Sequence, residues 1–203
     1  MLDRAAASAG DASGAPLALV GHSYGAAVAL IAALANPARV RALALYEPTL
    51  FSLIDADQPA PNEGDGIRNA VAASLAALDA GDQDAAARHF IDYWMGAGAW
   101  QQTPEARKPA IAASIATNIR RWAHALMTEP TPLQAFRALE MPVLFMVGKR
   151  STASAHGVAR RLAPALPRVE VVEFEKLGHM GPVTHPEPVN EAIRHFLERT
   201  FDR

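Results

Sequence analysis

The chain has 203 residues, half of them hydrophobic, a formal net charge of -2 and no cysteine. That is enough apolar chain to bury one core, with room for a smaller inserted lobe. Interleaved, nearly balanced charge excludes the basic face that nucleic acid or an anionic membrane surface would require, and the absence of thiols excludes disulfides, cysteine nucleophiles and cysteine-ligated metals. Apolar runs are short and interrupted by charge, so none reads as a membrane span. Residues 1–14 lack the charged head and apolar centre of a signal peptide. The expectation is a cytoplasmic protein with no nucleic-acid or membrane partner, no metal and no organic cofactor.

In chain order, residues 2–9 are compatible with a short helix and 10–15 with a Gly/Ser/Asp loop. Residues 16–20 form an apolar run of strand length. Residues 24–34 carry helix formers without a break until Asn36-Pro37, where proline stops the helix. Residues 40–46 read as a second strand, making a right-handed parallel crossover with the first, and Glu47-Pro48-Thr49 closes it. From 50 to about 139 the character changes. Residues 67–78, 84–95 and 103–127 read as three amphipathic helices, separated by Gly81, by the turn at 96–98 and by Glu129-Pro130-Thr131-Pro132. No strand pattern interrupts them, so 51–139 is expected to be a helical lid inserted into a core made of 1–50 and 140–203. Its three tryptophans, Trp94, Trp100 and Trp122, are expected to pack helix against helix rather than to line a pocket. The strand-and-helix alternation then resumes: a strand at 142–147, a helix at 154–162 closed by Pro164, a strand at 169–174 and a terminal helix at 186–200.

The first strand and helix meet at Gly21-His22-Ser23-Tyr24-Gly25. Lifting a serine hydroxyl clear of a buried strand end takes so sharp a turn that the serine is strained and its neighbours two positions away must lack side chains, a demand that Gly21 and Gly25 meet. The following helix aims unpaired N–H groups and its positive dipole end at the space beside Ser23. With strand before and helix after, this motif resembles the nucleophile elbow of the α/β-hydrolase family. The resemblance implies that Ser23 is the nucleophile and the Tyr24 N–H one oxyanion donor. The fold it implies is an α/β-hydrolase-like parallel sheet flanked by helices.

A serine at its free pKa is a poor nucleophile, so it needs a base, and histidine suits neutral pH. Of seven histidines, His179 follows the last apolar strand in a Gly178-His179-Met180-Gly181 turn, at the same end of a parallel sheet as Ser23. The family carries Gly-His, an apolar residue and then a Pro-led helix at this point, matched by Gly178-His179-Met180 and Pro186. His22 is expected to pack or hydrogen-bond locally, His185 to belong to a helix-capping turn, and His89, His124, His156 and His195 to be solvated on helices.

Most of the family places its acid in a Gly-x-x-Asp turn after the strand that follows the lid. Here that turn reads Gly148-Lys149-Arg150-Ser151-Thr152, with no carboxylate. Some relatives put the acid at the end of the preceding strand, and Glu47 occupies that position, where a buried carboxylate could orient the histidine. The other readings are that Glu47-Pro48 only ends the strand and that Asp55 or Asp57 serves instead.

The family also has half of its sheet, and a loop giving a second oxyanion N–H, ahead of the elbow, whereas about twenty residues precede Ser23 here. The resemblance therefore covers the C-terminal half of the fold, with its N-terminal strands missing. Losing one oxyanion donor costs about 100- to 1000-fold in rate. The strand at 16–21 would be an exposed apolar edge. Either the chain is a fragment, or a partner or second copy covers that edge.

The resemblance implies a serine hydrolase acting on a small-molecule ester or related acyl bond through an acyl-enzyme on Ser23. Serine at the elbow argues against epoxide hydrolase and haloalkane dehalogenase chemistry, for which the family uses aspartate. Acyl transfer, thioester cleavage and cofactor-free perhydrolysis use the same triad. The alternative is a truncated or degenerate fold that serves as a non-catalytic small-molecule-binding or interaction module.

Overall fold

The computed structural model describes residues 15–128 and 132–201. The helix expected at 2–9, all but the last residue of the loop at 10–15, and most of the break at 129–132 lie outside the described residues. Four strands, β1 (Leu17–His22), β2 (Val40–Tyr46), β3 (Val143–Gly148) and β4 (Val169–Phe174), form one sheet in the order β1-β2-β3-β4. Every pairing is parallel.

The inner strands alternate between two apolar layers. Leu43, Leu45, Val143 and Phe145 face one cluster, while Ala42, Ala44, Tyr46, Leu144 and Met146 face the other. Covered on both faces, these strands read as continuous apolar runs. The outer strands are less shielded: Glu170 and Glu173 of β4 are exposed, and β1 pairs, among the described residues, only with β2, with Val20 55% exposed.

Helix α1 (Tyr24–Ala35) joins β1 to β2 and packs on the larger layer through Ala26, Ala29, Leu30 and Ala33. That spacing of three, one and three places all four on one helical face. Between β2 and β3 run, among the described residues, five α-helices: α2 (Ser52–Asp57), α3 (Asp65–Asp79), α4 (Gln83–Met95), α5 (Ala99–Gln102) and α6 (Lys108–Met127). Three of these answer to the expected helices, with shifted starts. α3 begins at Asp65, whose carboxylate accepts the Asn62 N–H at 3.0 Å. α6 begins at Lys108 rather than 103, because Pro104 interrupts the run and Pro109 falls in the first turn, where its missing N–H costs nothing. α2 and α5 have six and four residues, too few to show a helical period. Ile67, Val71, Trp94, Ala123 and Leu126 of the insert belong to the same buried cluster as α1 and the sheet. After β3 come α7 (Ala153–Leu162), β4, α8 (Gly181–Thr184) and α9 (Pro186–Phe201), and α9 covers the smaller layer through Val189 and Phe196. Among the described residues, no helix is long and apolar enough to cross a membrane.

Phe145 lies at the centre of β3 with no exposed surface. Replacing it with alanine leaves a void that a close-packed parallel sheet cannot collapse around, so Phe145→Ala is expected to cost about 3–5 kcal/mol in urea denaturation. A loss below about 1 kcal/mol would mean that the layer is loosely packed.

Candidate active site

At the carboxyl-end rim of the sheet, β1 gives way to α1 through Ser23, which has φ 57° and ψ -120°. A non-glycine residue with positive φ carries a strain of about 1–3 kcal/mol, which the surroundings must hold. Two contacts hold it. The Ser23 N–H donates to the Tyr46 carbonyl at the end of β2, 2.9 Å away. Gly21 lets the first turn of α1 close over it: a Cβ there would lie 2.6 Å from the Gly25 carbonyl oxygen and 2.7 Å from the Ala26 backbone. The demand on the two glycines is not symmetric, as the sequence reading had it. Beyond its chain neighbours and its own helix backbone, a Cβ on Gly25 would meet nothing within 4 Å among the described residues, so the tight approach falls on Gly21 alone.

Glu47 follows β2 directly, also with positive φ, 46°, and is 1% exposed. Its Oε1 accepts the Gly148 N–H at 2.7 Å and the Ser151 hydroxyl at 2.5 Å. Its Oε2 accepts the Nδ1–H of His179 at 2.8 Å. A buried carboxylate is tolerable when its lone pairs are taken up in this way. The turn at 148–152, which has no carboxylate of its own, thus supplies two donors to a carboxylate borne by the neighbouring strand.

His179 is 3% exposed. The Ser23 hydroxyl donates to its Nε2 at 2.9 Å, so Ser23, His179 and Glu47 form one hydrogen-bonded chain. The two carbonyls at the histidine are pinned as well: the Tyr46 hydroxyl donates to Gly178 O at 2.8 Å, and His22 Nε2–H donates to His179 O at 2.7 Å. His22 and Tyr46 are register partners across β1 and β2, so adjacent strand ends hold adjacent carbonyls. Burial, then the charge on Glu47, pushes the Tyr46 phenol well above its ordinary range, keeping it a donor. Burial, then the charge His179 can carry, holds His22 below its ordinary value of 6.5.

The remaining candidates lie elsewhere. Asp55 and Asp57 are exposed and paired with Arg68 at 2.7 Å and Arg161 at 2.9 Å, so neither serves as an alternative partner for His179. His89, His124 and His195 are exposed, His156 is half-buried, and His185 closes α8. The tryptophans divide. Trp100 packs, with its indole N–H donating to Asp84 at 2.9 Å, whereas Trp94 and Trp122 pack as expected on the main cluster and also line a cavity, which was not expected. That cavity measures about 480 Å³, with Ser23, His22 and His179 on one side and Ile91, Ile111, Ile115 and Ile119 of the insert on others. Trp94 also stacks on the His179 ring, with centroids 3.8 Å apart and planes 24° from parallel. Sequence reasoning missed that contact, for which no local signal exists. Ser151 was within reach, being one of the two hydroxyls, with Thr152, in the turn at 148–152 that lacks an acid of its own. Among the described residues, no group of three or more His, Asp or Glu side chains could hold a metal ion.

The family model for the alpha/beta hydrolase fold matches residues 11–186, and the chain belongs to that family. No curated protein matches it significantly. Among solved structures, an alpha/beta hydrolase from Sphaerobacter thermophilus is 25% identical with TM-score 0.67, covering 97% of this chain and 71% of that one. MGS-M2, an alpha/beta hydrolase enzyme from a Medee basin deep-sea metagenome library, is 16% identical with TM-score 0.72, over 97% and 69% of the two chains. A thermophilic esterase from Thermogutta terrifontis, solved with malate bound, is 20% identical with TM-score 0.68, over 98% and 70%. The four-stranded parallel sheet with its helical insert is the architecture these structures share with this chain.

His22 gives the site a signature in stability. Its depressed folded value means that the unfolded chain takes up the proton more readily, so its contribution is present above pH 6.5 and lost as pH falls below it. Wild type is expected to exceed His22→Gln in urea stability by more at pH 7.5 than at pH 5.5. A gap that widens on acidification contradicts the neutral buried ring.

Proposed function

We propose that this chain is a serine hydrolase that cleaves an ester or related acyl bond through an acyl-enzyme on Ser23. The observation that carries the reading is the unbroken hydrogen-bonded chain from the Ser23 hydroxyl through His179 to Glu47, at the mouth of an apolar cavity.

In the first step the Ser23 oxygen attacks the substrate carbonyl while its proton passes to His179 Nε2. Nδ1–H stays on the imidazole, held by Glu47, whose carboxylate offsets the charge that forms. The carbonyl electron pair moves onto its oxygen, toward the first turn of α1, where the Tyr24 N–H has no partner within its own helix. Collapse expels the alkoxide, which takes the proton from Nε2. Water then repeats the sequence on the acyl-enzyme, with His179 again as base. Glu47 meets the need for an acid that the turn at 148–152 lacks.

A cavity of about 480 Å³ with isoleucine and tryptophan walls suits an apolar acyl or alcohol group, and sits within the range typical of small-molecule sites. The substrate class is therefore a small, largely apolar ester. The exposed β1 edge belongs to the same reading, as a surface for a second copy or an additional segment to cover.

A fluorophosphonate probe tests the assignment. Wild type is expected to label covalently and Ser23→Ala to stay unlabelled. A folded wild-type protein that does not react would leave only a binding module. In Glu47→Gln the carboxamide offers an N–H to Nδ1 as readily as an oxygen, favouring the tautomer with Nε2 protonated. Hydrolysis of p-nitrophenyl esters is expected to fall about 1000- to 10,000-fold in kcat. A loss below about tenfold would move the acid role away from Glu47.

A further inference from the structure

Trp94 lies at the end of α4, in the insert, far from the three strand ends in sequence. Its ring nevertheless covers the face of His179 at 3.8 Å, the shortest ring-to-ring separation among the described residues. The contact is built rather than incidental. Phe51, Phe90 and Tyr93 surround the indole with centroids 6.2, 6.3 and 4.8 Å away. The hydroxyl of the adjacent Tyr93 shares a 2.6 Å hydrogen bond with Ser154 Oγ, which has no exposed surface. Ser154 lies in the first turn of α7, just after the turn whose Ser151 donates to Glu47. One segment thus steadies both the acid below the imidazole and the helix end that brings the indole over it.

Resting on the reading of His179 as the base, we propose that Trp94 is a positioning residue for it, whose π-face stabilises the imidazolium formed when Ser23 gives up its proton. An indole carries negative charge density on its face and attracts a cation stacked there, more strongly where water is excluded. A neutral imidazole gains little from the same contact. The interaction therefore grows as the proton moves from Ser23 Oγ to Nε2 and the Oγ–carbon bond forms, and fades when the proton passes to the leaving oxygen. A contact stronger in the charged state than in the resting state lowers the barrier rather than the binding energy. No lysine or arginine competes for this face: the cation–ring contacts among the described residues are Arg41 on Phe201 and Lys108 on Trp100. Trp94 thus gives the insert a duty in catalysis besides its packing on the core and its walling of the cavity.

The test separates the π-face from the bulk of the side chain. Trp94→Phe keeps an aromatic face, and Trp94→Leu keeps apolar volume without one. With p-nitrophenyl acetate, whose acyl group is too small to need the cavity, Trp94→Leu is expected to lose about tenfold in kcat with KM within about twofold. Trp94→Phe is expected to stay within about threefold of wild type. The rate of fluorophosphonate labelling should follow the same order. Should Trp94→Leu fail to fold by far-UV circular dichroism, Trp94→Met replaces it in the comparison. If Leu or Met matches Phe, or if the loss appears only with long-chain esters and in KM, Trp94 is a cavity wall and the proposal is overturned. Failure of the underlying reading looks different: wild type itself does not label, whatever occupies position 94.

Discussion

The site depends on parallel register. His22, Tyr46 and Met146 stand abreast across β1, β2 and β3, so the chain segments leaving the first two strands, and the turn that follows β4, all emerge at one rim. Because parallel strands need crossover connections, the residues that meet there come from widely separated stretches of sequence. Ser23 and His179 are 156 positions apart and share a 2.9 Å hydrogen bond. The rim also concentrates strain: Ser23 and Glu47 are the two non-glycine residues with positive φ among the described residues, and each follows directly from a strand. Packing of β2 on both faces, and the Ser23 N–H bond to the Tyr46 carbonyl at its end, keep these conformations from relaxing.

Glu47 shows how a buried charge is made tolerable. Its two oxygens take one backbone N–H, one hydroxyl and one imidazole N–H, with no arginine or lysine involved. The donors from Gly148 and Ser151 come from the turn after β3, and Gly148 has no room for a Cβ because the Leu177 carbonyl, just before the histidine turn, packs against it. The turn that brings His179 in and the turn that satisfies Glu47 are therefore in direct contact. Tyr46 and His22 extend this network by holding the carbonyls of Gly178 and His179, so the imidazole is fixed from its backbone as well as from its ring.

The helical insert meets this polar rim with an apolar face. Its isoleucines and Trp122 wall the cavity while Trp94 lies on the histidine. Burial of His179 and Glu47 strengthens the hydrogen bond between them, as electrostatic interactions are strengthened in a low local dielectric. The insert is also continuous with the main buried cluster, so its position over the rim is held by the same core that supports α1 and the sheet.

Residue order alone carried the alternation of strands and helices, the elbow at Gly21–Gly25, the histidine turn and the vacancy in the turn at 148–152. These are local signals: apolar runs of strand length, helix breakers such as Pro37, and a glycine-bounded serine, each legible within a dozen residues. Short helices such as α2, and the start of α6 at Lys108, were not, since so short a segment shows no period and the prolines at 104 and 109 decide the boundary. Glu47 was singled out by its place at the end of the second strand, with Asp55 and Asp57 as substitutes. Burial and the distances to His179, Gly148 and Ser151 distinguish it from Asp55 and Asp57, which lie on the surface against arginines. That Gly21 and not Gly25 bears the close contact, that His22 and Tyr46 clamp neighbouring carbonyls, and that Trp94 lies over the imidazole emerge only in three dimensions. Each depends on where separate stretches of chain come to rest against one another, and no periodicity or spacing along the chain encodes such a meeting.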